Sequence, residues 1–351
     1  MTIPTRAAAC IAAAFSCCIV ADARPVELER RFVFTDEPAV LKIATDASHS
    51  SASVVMSTIT SLGRGPDVEA TYRIVDGRVS IEPLGEGIHV VNVHAPVRGS
   101  VRFLAFEPPP VMNGAAVIES LPHAGVKLVT GEPFVILAMG DSVTATGEYE
   151  TILEMMLERS TGNRQIRMIT KAYPGRSVDA AVRFFKDDAL PNAPDLGLLM
   201  YGLNDQICFV PLDAYLEQYE FIATRLREDC DADCVFLQPT PHIDIAYEDG
   251  AEGHPPHFAL RTIGFAESLR PLAAELGVPV ADTFHALWGR GGPTLRDAAR
   301  AMWPLYPRHY NTQFTSMLEA DGKGDTIHPN VLGHLAIARA TFDAINGATH
   351  K

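Results

Sequence analysis

The sequence predicts a small all-β sandwich followed by a larger α/β domain built on a parallel sheet, and three observations predict it. From Arg31 to about Phe106, short β-like runs alternate with turn residues and no helical period appears. After Lys127, apolar runs without polar alternation take turns with amphipathic helical stretches, the pattern of strands covered on both faces by helices. Between the two lie Glu107 and Pro108-Pro109-Pro110, a stiff run that cannot join a sheet ladder.

Taken in order, residues 1–23 read as a signal peptide. Arg6 precedes an uncharged apolar run from Ala7 to Ala21, and Ala21-Asp22-Ala23 has the small-x-small form of a cleavage site. Lipid attachment at Cys17 or Cys18 is the alternative, although Ala14, Phe15 and Ser16 make a poor lipidation signal. Either route places the protein outside the cytoplasm, secreted or periplasmic. Residues 24–110 form the β-sandwich, with strands expected at Arg31–Phe34, Ala39–Ile43, Thr71–Val75, Val79–Ile81, Ile88–Val93 and Val101–Phe106, and a hairpin at Asp76-Gly77. Residues 111–126 read as a linker and 127–351 as the second domain. There, strands are expected at Phe134–Met139, 166–170, Leu196–Met200, Val235–Gln238 and Val278–Ala281, with helices near 147–161, 177–187, 212–229, 258–276 and 330–345.

Composition narrows the function. The 351 residues carry 29 Lys+Arg against 43 Asp+Glu, a formal charge of −14, and removing Arg6 and Asp22 with the signal leaves that balance unchanged. Such acidity argues against nucleic-acid partners, which need clustered cations. Beyond the N-terminus no apolar run reaches the roughly 20 residues of a transmembrane segment. Three of the six cysteines fall in the signal, leaving Cys208, Cys230 and Cys234; the spacing of the last two suggests a local disulfide. No Cys-x-x-Cys or His-rich spacing points to a structural metal.

The chemistry gathers at strand ends, where open α/β sheets bind ligands. Gly140-Asp141-Ser142-Val143-Thr144 follows the first apolar strand and precedes a helix, which presents a serine hydroxyl and a backbone N–H at the mouth. It is not a nucleophile elbow of the Gly-x-Ser-x-Gly type, because Thr144 holds the second glycine position; a helix-capping turn is the plainer reading. Tyr173-Pro174-Gly175-Arg176-Ser177 follows the second strand, Gly202-Leu203-Asn204-Asp205 the third, and Asp325-Thr326-Ile327-His328-Pro329-Asn330 precedes the last helix. With these four blocks in order, the sequence resembles the SGNH/GDSL hydrolase family over about 127–348.

The resemblance implies a flavodoxin-like three-layer α/β/α domain and a serine esterase without cofactor or metal. It makes Ser142 the nucleophile, His328 its base and Asp325 the residue orienting the imidazole. It draws the oxyanion hole from the Ser142 and Gly175 N–H groups and the Asn204 amide. Independently of any family, a serine hydroxyl needs a neighbouring base to become a nucleophile, and a glycine lets backbone approach a ligand closely.

Asp282-Thr283-Phe284-His285 repeats the Asp-x-x-His spacing, and spacing alone does not choose between the pairs. Pro329-Asn330 and a helix after His328 favour Asp325/His328, whereas Asp282 suits a cap. Asp141 and Asp205 read as loop-orienting residues. The stretch from His242 to His257 reads as solvated loop ahead of a metal site. Trp303, Tyr306 and Tyr310 are candidates to stack on a sugar ring, with ordinary packing equally open. Export and an appended β-domain resemble the arrangement of carbohydrate acetylesterases, so acetylated oligo- or polysaccharide is the favoured substrate. A lipid or aryl esterase on the same triad, and an inert carbohydrate-binding protein, are the rival readings.

Overall fold

A computed structural model describes residues 26–44, 49–60, 63–145, 147–241, 258–288 and 328–347. The N-terminal strands are β1 (Val26–Leu28), β2 (Phe32–Phe34), β3 (Ala39–Ile43), β4 (Ser51–Thr60), β5 (Gly63–Arg64), β6 (Val68–Arg73), β7 (Arg78–Ile81), β8 (Gly87–Ala95) and β9 (Gly99–Phe106). They form two sheets, β1-β3-β7 and β2-β9-β8-β4-β5 with β6 also paired to β4. Leu41, Ile43, Val79 and Ile81 of the first sheet meet Val54, Met56, Val91 and Phe103 of the second in one buried core. The sandwich is thus present, with one departure from an all-antiparallel sheet: β2 pairs parallel to β9, Phe32 opposite Leu104. The hairpin at Asp76-Gly77 is closed by the Val75–Arg78 bridge, with φ of 51° and 71° at its two central residues.

The strand at the centre of the larger sheet, β4, escapes the sequence reading. Its Ser-Ala-Ser-Val-Val-Met-Ser-Thr-Ile-Thr run is rich in hydroxyl residues, yet Ala52, Val54 and Met56 face the core and are fully or almost fully buried. The expected strand at Thr71–Val75 lies instead at Val68–Arg73.

Beyond Phe106 come helices α1 (Gly114–Ser120) and α2 (Gly125–Thr130), so the stretch read as a linker carries helix, with Val117, Leu121 and Ala124 buried. Then follow β10 (Phe134–Gly140), α3 (Ser142–Ala145), α4 (Glu148–Thr161), β11 (Ile166–Ala172), α5 (Asp179–Asp188), β12 (Leu196–Met200), α6 (Leu203–Ile207), α7 (Leu212–Cys230), β13 (Asp233–Leu237), α8 (Phe258–Leu276), β14 (Val280–Ala281), α9 (Thr283–Trp288) and α10 (Val331–Ile345). The five strands β11-β10-β12-β13-β14 are all parallel. This is the flavodoxin-like order, whose direction of winding reverses between its first and third strands, here β10 and β12.

Alternate residues of each strand enter two cores. Ile136, Ala138, Leu198 and Val235 pack with Tyr149, Ile152, Leu335 and Ala338 of α4 and α10. Leu137, Met139, Leu199 and Phe236 pack with Phe185, Tyr219, Ile222 and Leu269 of α5, α7 and α8. Both faces being covered explains why β10 and β12 show no polar alternation, whereas the edge strand β11 carries Arg167, Thr170 and Lys171 and is only partly buried.

The first of these cores continues into the N-terminal sheet through Phe32, Phe34, Leu104 and Phe106. Charged pairs surround that seam: Arg31 with Glu148 at 2.5 Å, Arg159 with Asp36 and with Glu37, and Arg339 with both carboxylate oxygens of Glu86. Cys230 and Cys234 are both free, contrary to the disulfide their spacing suggests. Cys230 ends α7 while Cys234 lies buried within β13, so a helix end and a sheet strand keep the two thiols in separate settings. Among the described residues, no helix is long and apolar enough to cross a membrane.

Glu150 of α4 is almost fully buried and receives a long, 3.5 Å contact from the Thr170 hydroxyl of β11. Burial pushes its pKa up to about 8, so the folded protein keeps a proton that the unfolded chain loses near 4.5. The stability this group contributes is complete below about pH 4.5 and declines as pH rises to about 8. Glu150→Gln should flatten that decline: between pH 5 and 9 the Tm of the variant is expected to fall by about 3 °C less than the wild type's, measured by calorimetry. Equal falls would show that Glu150 is ionised in the fold.

Candidate active site

Ser142 is the first residue of α3, directly beyond β10. The turn into this helix is built by Asp141, whose side chain accepts the Val143 N–H at 3.0 Å and whose carbonyl accepts the Ala145 N–H at 3.0 Å. Gly140 is required by close approach: a Cβ there would lie 2.0 Å from Thr144 Oγ1 and 2.9 Å from the Met200 carbonyl oxygen. Thr144 Oγ1 is in turn 3.2 Å from the buried Tyr149 hydroxyl, and the Tyr149 ring lies parallel to the imidazole of buried His334. Burial drives the His334 pKa down to about 3, so this histidine is neutral packing beneath the site and takes no proton at working pH.

From the other end of the chain, His328 Nε2 lies 2.9 Å from Ser142 Oγ. It is delivered by the start of α10, where Asn330 caps the helix by accepting the Leu332 and Gly333 N–H groups at 2.9 and 3.2 Å. His285 is engaged elsewhere. Its Nδ1 is 2.8 Å from Asp282 Oδ1, and Arg270 holds the other oxygen at 2.9 Å. Asp282 also caps α9 through the His285 N–H. Burial opposes ionisation of Asp282, but His285 and Arg270 outweigh it and hold the carboxyl below its usual range; the bond from Asp282 raises the pKa of His285 in return.

The other two blocks converge on the same strand ends. Tyr173 to Arg176 is a β-turn closed by the Arg176 N–H on the Tyr173 carbonyl at 3.1 Å. Pro174 at its second position and a φ of 73° at Gly175 make it type II, which leaves the Gly175 N–H unused by the turn's own bond. The turn is pinned to β10 by the Tyr173 N–H on the Gly140 carbonyl, 2.8 Å. Asn204 stands in the first turn of α6 and its amide donates to Asp141 Oδ2 at 3.2 Å, which orients the side chain and leaves its second N–H for a ligand. Asp205, fully buried, accepts the Gly202 N–H and the Val178 N–H at 3.0 Å each, stapling the second block to the third. Burial raises the pKa of Asp141 to about 6 against the opposing pull of the Val143 N–H, the His328 imidazole and the Asn204 amide, and raises that of Asp205 to about 7 against the Val178 and Gly202 N–H groups, with the charge of Asp141 adding to the rise.

Ser142, His328, Gly175 and Asn204 therefore come from four segments to the carboxyl ends of neighbouring strands. Asp325, Trp303, Tyr306 and Tyr310 lie in the segment 289–327, outside the described residues, as do the stretch 242–257 and the N-terminal residues 1–25. In the sequence Asp141 reads as a local loop residue; its bond to Asn204, 63 positions away, has no sequence signal. Among the described residues, no group of three or more His, Cys, Asp or Glu could hold a metal ion.

A family model described as GDSL-like lipase/acylhydrolase matches residues 138–336, which contain all four blocks. No curated protein sequence matches the chain. Among solved structures, a catalytic mutant of the acetylxylan esterase Axe2 from Geobacillus stearothermophilus is similar at 18% identity, covering 61% of this chain and 95% of that one with a TM-score of 0.44. LAE5, an alpha/beta hydrolase enzyme from the metagenome of Lake Arreo, Spain, is similar at 20% identity, covering 62% of this chain and 97% of that one, TM-score 0.44.

Proposed function

The chain belongs to the GDSL-like lipase/acylhydrolase family, and on that footing we propose that it is a serine esterase that removes acetyl groups from carbohydrate. The observation that carries the reading is the 2.9 Å contact between Ser142 Oγ and His328 Nε2, within the reach a base needs to take a hydroxyl proton. Ser142 Oγ attacks the acyl carbon while its proton passes to His328 Nε2. The carbonyl oxygen, now negative, is met by the Ser142 and Gly175 N–H groups and the Asn204 amide. The tetrahedral species collapses, the C–O bond to the sugar breaks, and the departing oxygen takes the proton from His328. Water then enters, gives a proton to His328 and attacks the acyl-serine; acetate leaves and the Ser142 hydroxyl is restored. Asp325 completes the triad by holding the imidazole tautomer.

The same reading makes residues 1–23 a signal peptide, 24–110 an accessory β-sandwich and 127–351 the hydrolase domain, acting outside the cytoplasm. The appended N-terminal β region supports a carbohydrate substrate. One observation favours longer acyl chains instead: Ile207, the last residue of the helix that carries Asn204, and Phe209 just beyond it expose apolar side chains, Phe209 at 62%. A screen of the pure protein on acetylated xylan, glucomannan and pectin, and on p-nitrophenyl esters of two to twelve carbons, separates the two. Release of acetate from a polysaccharide, with kcat/KM falling beyond four carbons, is the expected result; a rise with chain length would replace the carbohydrate reading by a lipid esterase.

A further inference from the structure

We infer that Tyr173, acting through Asp188, is a positioning residue for the Gly175 N–H of the oxyanion hole. The inference rests on the esterase reading above. Residues Pro174 to Arg176 are exposed at the rim, so among the described residues nothing packed over the turn sets its direction. Its orientation has to come from its two ends. The far end is anchored at Val178, whose N–H is held by buried Asp205. The near end is Tyr173, and its backbone bond to Gly140 leaves the peptide beyond it free to rotate about φ and ψ of that residue.

The Tyr173 side chain removes that freedom. Its ring stacks on Phe184 with centroids 4.7 Å apart and planes 20° apart. Its hydroxyl donates to Asp188 Oδ2 at 2.7 Å. Asp188 is almost fully buried at the end of α5, and its other oxygen is 3.5 Å from Lys171 Nζ. The turn and the helix that follows it are therefore closed into a ring, from Tyr173 along α5 to Asp188 and back through a side-chain bond. Burial and the bond to Asp188 push the Tyr173 hydroxyl up to about 12, so it remains a donor throughout the working range. Tilting the turn moves the Gly175 N–H relative to the oxyanion, and small misplacements of such donors are costly because charge stabilisation depends on preorganised geometry.

The test uses the full chain on p-nitrophenyl acetate, with Ser142→Ala as the blank. Tyr173→Phe and Asp188→Ala are each expected to lower kcat about tenfold with KM within twofold, short of the roughly 100- to 1000-fold for losing a donor outright. The double variant should be no slower than either single one, because both break the same bond. Asp188→Asn, which keeps an acceptor, should recover most of kcat. A kcat within twofold of wild type in both single variants, or a lowered Tm with kcat intact, overturns the positioning role. So does Asp188→Asn as slow as Asp188→Ala. Should Tyr173→Phe not fold, the two Asp188 variants carry the decision. Failure of the wild type to exceed the Ser142→Ala blank would instead overturn the esterase reading itself.

Discussion

Ser142→Ala is expected to lower kcat for acetyl esters by roughly 10⁴-fold or more, and His328→Ala by a similar factor. The two groups are 186 positions apart in sequence and 2.9 Å apart in space, and in the proposed mechanism they act as one proton-transfer unit. Removing either leaves the other without its task, so the double variant should be no slower than the singles. Both side chains sit at a half-buried mouth and outside the apolar cores, which is why Tm should move by no more than about 2 °C. His285→Ala is the control. That imidazole is bound to Asp282 and close to Glu267, and its loss should keep most of the activity. Stopped assays with purified variants and a calorimetric scan decide the matter. Multiplying losses in the double variant, or a His285→Ala enzyme as dead as His328→Ala, would require a different base.

The second large effect is on folding. Gly140→Ala places a methyl where Thr144 Oγ1 is 2.0 Å and Thr144 Cβ 2.6 Å away, with the Met200 carbonyl behind. Thr144 cannot swing aside, since it is fully buried and its hydroxyl meets that of Tyr149, which is itself packed on His334. Relief requires moving α3, the helix that opens with Ser142, or parting β10 from β12. Overpacking of this severity should cost about 3 kcal/mol, lowering Tm by roughly 6–12 °C, and activity should fall with it because the displaced element carries the proposed nucleophile, Ser142. Chemical denaturation and a thermal scan measure it. A variant as stable as the parent would mean that this glycine is a matter of composition only.

Much of the second half of the molecule was legible in the sequence because its inner strands β10 and β12 are apolar on both faces and helices such as α4, α5 and α7 are not. Phe134–Gly140 and Leu196–Met200 stand out for that reason, and each ends at a block that carries chemistry. The first half was harder. Ser51–Thr60 alternates hydroxyl with apolar residues, and that pattern is shared by loops and by strands with one solvated face. Gly114–Ser120 and Gly125–Thr130 are too short to display a helical period, so a proline-flanked stretch that is helical read as a connector. Within the site, Ser142, Gly175, Asn204 and His328 could be named from their blocks. What holds them could not, because the bonds from Asn204 to Asp141, from Val178 to Asp205 and from Tyr173 to Asp188 depend on which side chains the fold turns inward.

Phe32, Phe34, Leu104 and Phe106 belong to the same apolar interior as Val143 and Tyr149, the immediate neighbours of the serine turn. The N-terminal sheets are thus no detachable cassette. An enzyme cut back to its family-matching half would bare an aromatic wall to water, and a recombinant β region alone would do the same from its own side. Shuffling between relatives would have to carry both halves across together, or redesign the wall where they join.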